Sequence, residues 1–256
     1  MRLILHPILR ELRAVYDVGE LYSMERYWAY KRLMVDGPEL LPLGDFSPMG
    51  KRQPEYLDRL IGMEAERQAA EFLKAVESEP WSAGLHGRVL LVVADQPGNG
   101  WTQRWLTDAA WRFEGEKLPP SAQQTAAGRW ITVQLWTHVE PTPAYLRSQL
   151  RSAVRRAAWQ AHHGRPLTLD AMLQQEGAAL AAGDGAFGGA PLPLDPDDLA
   201  YTREVLAPLR NSDHWPACFA ALYGDEAARE VGYPALGLSS LTGFSLALAE
   251  TSVVAG

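Results

Sequence analysis

Residues 88–95, RVLLVVAD, are aliphatic at every position between Arg88 and Asp95. A strand with one wet face alternates apolar and polar residues, because successive side chains point to opposite sides. This run does not alternate, so both of its faces must be covered. That requirement asks for a layer of helix on either side of a sheet. A second strand is predicted at 129–137, RWITVQLWT, and it does alternate. Ile131, Val133 and Leu135 share one face; Trp130, Thr132, Gln134 and Trp136 share the other. Between the two lies TQRWLTDAAWRFEG, a helical segment with Thr102 at the N-cap position and Gly115 just past its end. The order is that of a βαβ unit at about 88–137, with antiparallel pairing as the alternative.

The flanks read as helix. HPILRELRAVY and SMERYWAYKRLMVDG, over roughly 7–35, give two helices, the second capped by Ser23 and stopped at Gly37 before Pro38. Residues 36–54 hold Pro38, Pro42, Pro48 and Pro54 and form an irregular connection. PEYLDRLIGMEAERQAAEFLKAVESE predicts one long helix with an apolar stripe of Leu57, Leu60, Ile61, Ala65, Phe72 and Val76. After the second strand, a helix is expected from Thr142 and Pro143 to Gly164. Another starts at Thr168, with Gly177 as a break, and a third is capped by Asp195. HWPACFAALYG, DEAAREVGY and the terminal GLSSLTGFSLALAETSVVAG add short helices, the last docked on the body.

The expectation is a helix-rich α/β protein: a small central sheet flanked by N- and C-terminal helices, with 1–256 forming one domain. The Gly/Pro-rich stretch 183–195, GDGAFGGAPLPLD, is the candidate lid or subdomain boundary. Two strands are few for 256 residues, so either further short strands or a fold dominated by helices is expected.

A hydrophobic fraction of 47% is enough to bury a full core. The formal charge of −7 is opposite in sign to that of a general nucleic-acid binder, which argues against such a partner. The single cysteine, Cys218, excludes an intramolecular disulfide. Its neighbours Pro216, Ala217 and Phe219 suggest a buried structural thiol. The start MRLILHPILREL lacks the pattern of a secretion signal, and a reducing, cytoplasmic setting is expected. No apolar run reaches the ~18 residues that a membrane span needs.

Chemistry is suggested in three places. In ADQPGNGWTQRW, 94–105, a strand ends at Asp95, a Gly-rich turn follows, and a helix begins. Free N–H groups at a helix start favour an anion. Gly98 and Gly100 let backbone approach a ligand, Thr102 caps the helix, and Arg104 adds a planar donor fork. Trp101 would wall the pocket, and Asp95 would serve as base or orienter. Five of the nine tryptophans fall in this βαβ segment, so an aromatic wall is within reach. The turn matches neither the phosphate-loop nor the dinucleotide pattern.

The second place is the window 141–169, which contains no Asp or Glu. Arg147, Arg151, Arg155 and Trp159 recur at i+4 and line one stripe of a helix. Arg156, Arg165, His162 and His163 add to its basic character. The third is a scattered set, His138, Glu140, His162 and Glu176, whose residue types suit a divalent metal without a recognised ligand spacing. Three functions follow. The first is a protein that binds or acts on a small anionic ligand where the 95–104 loop meets the basic helix. The second is a non-catalytic protein whose arginine stripe docks an acidic partner. The third is a metal-dependent hydrolase.

Overall fold

The computed structural model of the chain describes residues 2–20, 23–34, 41, 52–94, 104–113 and 129–254. Strands β1 (Arg2–Leu5), β2 (His86–Ala94) and β3 (Arg129–Trp136) form one sheet in the order β1-β2-β3. Both pairings are parallel, with Leu5 opposite Val89 and Ala94 opposite Trp136. The βαβ unit is therefore real, and its pairing is parallel. β1 is one of the short strands left unassigned by pattern; four residues carry too little periodicity to read.

Around the sheet lie α1 (Leu9–Val15), α2 (Met24–Met34), α3 (Gln53–Gly62), α4 (Ala65–Val76) and a 3-10 turn at Pro80–Ser82. The crossover between β2 and β3 contains α5 (Arg104–Phe113). Next come α6 (Pro143–His163) and α7 (Leu169–Ala182), then a two-residue hairpin of β4 (Ala186–Phe187) and β5 (Ala190–Pro191). α8 (Pro196–Leu206), a 3-10 turn at Ala207–Leu209, α9 (Trp215–Tyr223), α10 (Asp225–Glu230) and α11 (Thr242–Val254) complete the chain.

Both faces of β2 are covered, as its composition requires. Val89, Leu91 and Val93 join Ile131, Val133 and Leu135 against Leu57, Leu60, Leu73, Leu146, Leu150 and Val154. On the other side, Leu90, Val92 and Trp130 meet Ile8, Val15, Tyr30 and Met34. Each fully buried leucine here contributes roughly 1.5–3 kcal/mol. A separate helical core gathers Ala109 and Phe113 of α5 with Leu173, Leu180, Phe219, Tyr223 and Phe244. α5 thus ties the sheet to the helical half.

Local chemistry sets several boundaries. Thr142 accepts from the Tyr145 amide and Thr168 from the Ala171 amide, capping α6 and α7. Asp195 accepts from the amides of Asp197 and Asp198 at the start of α8. Ser23 accepts from the Arg26 amide at the start of α2. Gly37, Pro38 and Gly115 lie outside the described residues.

Two expectations need correction. The long helix expected after Pro54 is broken, because Glu64 turns left-handed at φ 55° and α4 starts afresh. The turn directs α3 towards α1 and α4 towards β1 and α6. A continuous apolar stripe hid it, since both helices feed the same core. Gly177 does not break α7, which runs on to Ala182. A Cβ at Gly177 would collide with the Ala247 carbonyl and the Thr251 hydroxyl, so the glycine permits a close crossing of α7 and α11. The segment 183–195 holds the hairpin, with Phe187 and Leu192 buried. α11 docks on α7. Among the described residues no helix is long and apolar enough to cross a membrane.

Candidate functional site

The parity of β3 decides where a site can form. Ile131, Val133 and Leu135 are consumed by the core, which leaves Thr132, Gln134 and Trp136 on the opposite face. α6 packs on β3. Its Leu146, Leu150 and Val154 enter the core, while Gln149, Ser152 and Arg156 come round to the side of Thr132 and Gln134. From α5, Asp108, Trp111 and Arg112 close the third wall. These residues, with Leu180 and Ala186, line a cleft of about 30 Å³. That volume accommodates one or two waters, or one small polar group.

An ionic network floors the cleft. Arg112 Nε donates to Asp108 at 2.6 Å and Arg112 Nη1 to Glu176 at 2.6 Å. Arg156 grips the same Glu176 with two bonds, Nε at 2.6 Å and Nη2 at 3.0 Å. Glu176 has no exposed surface. Tyr223 donates its hydroxyl to Asp108 at 2.6 Å. Gln175 donates to Glu176, and both Gln175 and Gln160 donate to the Arg112 carbonyl. The Arg112 guanidinium also lies 4.4 Å from the Phe187 ring centre and 5.2 Å from that of Phe244. Two carboxylates against two guanidiniums leave the network neutral, and buried charge survives only when paired in this way.

The titration of these groups follows. Burial pushes the Glu176 carboxyl up, but the Arg156 and Arg112 guanidiniums outweigh it and hold it at about 2. Burial, with Asp108 beside it, raises Tyr223 well above its ordinary value, so it is a neutral donor. Burial opposes the charge on Arg112, yet Asp108 and Glu176 raise it above its ordinary value.

Two of the lining residues carry an unsatisfied polar atom. Gln134 Nε2 and Ser152 Oγ are buried and have no hydrogen-bond partner among the described residues. Such groups are rare, because leaving one unsatisfied costs roughly 1–3 kcal/mol.

The residues singled out by sequence fall in different places. Asp95, Gly98, Gly100, Trp101 and Thr102 lie outside the described residues. Arg104 opens α5, but its side chain is not described. The tryptophans divide: Trp111 and Trp136 line the cleft, Trp130 lies under Arg88 with the guanidinium 5.0 Å from its ring centre, and Trp105 donates to Glu230. Arg147 and Arg151 are exposed on the outer side of α6, and Arg155 lies over Trp81 at 5.1 Å.

The four metal-suited residues are not gathered. Glu140 pairs with Arg59 at 2.7 Å, His162 bonds the Ala158 carbonyl, and Glu176 belongs to the buried network. His138 shares a hollow of about 350 Å³ with Glu140, Arg52, Glu55 and Arg59. Among the described residues no three His, Cys, Asp or Glu side chains are grouped to hold a metal. Cys218 is fully buried, burial pushes its thiol up to about 11, and its sulfur contacts the Ser212 carbonyl at 3.3 Å.

Sequence reasoning missed Asp108, Arg112, Ser152 and Tyr223. The i, i+4 spacing of Asp108 and Arg112 was the one readable signal. No protein-family model, no curated protein and no solved structure matches this chain, so its chemistry has to be argued from its own residues.

Proposed function

We propose that the chain binds a small anionic ligand, with a carboxylate seated in the cleft between α5, β3 and α6. The carrying observation is that two residues lining one small cleft, Gln134 and Ser152, each bury a donor, Nε2 and Oγ, with no partner among the described residues. A ligand oxygen there would satisfy groups whose isolation costs free energy. Arg156 adds charge: its Nε and Nη2 hold Glu176, and its Nη1 donates to no described residue. Trp111 and Trp136 flank the seat of the carboxylate with flat apolar surface. The cleft adjoins α5, so Arg104 and the preceding loop are the further donors expected from the sequence.

The groups favour binding over turnover. The described lining contains no His, Cys or Lys, and its one carboxylate, Asp108, is tied to Arg112 and Tyr223. The test is a thermal-shift series of small carboxylates and phosphates on the purified protein. A carboxylate at a hundred times its Kd stabilises by about 2.7 kcal/mol. Gln134→Leu and Ser152→Ala should each remain folded and lose that stabilisation, and Arg104→Ala should weaken it. A ligand that stabilises both variants as well as the wild type binds elsewhere and overturns the assignment.

A further inference from the structure

The outer face of α6 carries a different message from the cleft. Between residues 145 and 160 its side chains are buried or half-buried on every side except at Arg147 and Arg151. Helices α4 and α7 flank it and β3 lies beneath it. Over 145–160 the exposed strip of this helix is therefore one residue wide and made of arginine, continued one turn on by the half-buried Arg155 over Trp81. Arg147 and Arg151 form no ion pair with any described residue.

We propose that this strip docks an acidic α-helix of a protein partner. Successive arginines are four residues apart, a rise of about 6 Å. A helix laid alongside with carboxylates at i, i+4 and i+8 has the same rise, so each carboxylate meets one guanidinium. Arginine binds carboxylate through two parallel bonds, which sets register as well as attraction. The remainder of a chain of charge −7 repels an acidic segment, so this local reversal of sign directs it to α6. The same overall charge opposes a nucleic-acid duplex, whose phosphates extend well beyond a strip one residue wide.

The experiment uses a labelled alanine-rich helical peptide with glutamates at i, i+4 and i+8, and a scrambled peptide of identical composition. Binding to the whole protein is read by fluorescence anisotropy at low and at physiological salt. The patterned peptide should bind roughly tenfold tighter than the scrambled one at low salt, with the margin shrinking as salt rises. Arg147→Glu with Arg151→Glu should remove the difference while leaving carboxylate binding in the cleft intact. Should that pair fail to fold, Arg147→Gln with Arg151→Gln keeps the test open. Equal affinity for both peptides, indifference to the substitutions, or tighter binding of a short DNA duplex would each overturn the proposal.

Discussion

Arg155 lays its guanidinium over Trp81 on the outer side of α6, while Arg156, next in the chain, reaches Glu176 inside the molecule. One helix thus carries arginines in two regimes. On the inner side Arg156 is largely withdrawn from water and is matched by the Glu176 carboxylate at 2.6 Å, which it shares with Arg112 of α5. On the outer side Arg147 and Arg151 stay exposed and form no ion pair among the described residues. The contrast teaches that charge on this helix is read by neighbourhood. Buried arginine contributes to the architecture and the cleft, and exposed arginine contributes to encounter.

The largest effect is expected at Glu176. Glu176→Gln removes the carboxylate that Arg156 and Arg112 share, leaving Asp108 paired with Arg112 alone, and removing one partner of a buried pair costs about 3–5 kcal/mol. Urea unfolding measures it, and a loss under about 1 kcal/mol would falsify the view that the network holds the inner face. Arg156→Met comes next, at about 3 kcal/mol, because Arg112 still compensates part of the charge. Its stability should be compared directly with that of Arg155→Met, where only a cation–π contact of about 0.5–1 kcal/mol is lost. If the neighbouring substitutions cost the same, the two-regime description is wrong. The smallest effect belongs to Arg151→Gln, within about 0.5 kcal/mol of wild type.

Acid sharpens the same contrast. The Glu176 carboxyl titrates at about 2 in the folded protein, below its ordinary 4.5. Its folded value is the lower one, so its contribution is complete above the unfolded value and is lost as pH falls through the folded one. The stability gap between wild type and Glu176→Gln should therefore be constant above pH ~5 and narrow between about 4.5 and 2. A gap that closes near neutrality points to a different group.

What could be read from sequence was local. Thr142, Pro143 and Gly164 bracket α6 because capping chemistry acts over three or four residues. The unbroken aliphatic run of β2 announced two covered faces, and the alternation of β3 placed Thr132, Gln134 and Trp136 together. The turn at Glu64 escaped because a stripe can continue across a kink when both halves face one core. Gly177 looked like a break because its reason, a helix crossing with Ala247, comes from far along the chain. Glu176 was grouped with histidines by residue type, while its partners are Arg112 and Arg156, set by tertiary packing. The cleft was legible as a region and not as a set of atoms: Ser152 looked like any helical serine until the fold set it in the same lining as Gln134.

The parallel pairing of β1 with β2 carries a kinetic consequence. Arg2 must find His86, so the first strand cannot be secured until a loop of some eighty residues has closed. Closing such a loop is entropically uphill before any contact rewards it, and pairings of high sequence separation form late. During synthesis the opening segment therefore waits, unpaired, until β2 has been made. A refolding experiment should find protection of the His6 amide, which donates to the Val89 carbonyl, lagging behind that of the α6 amides, whose bonds close within a few residues.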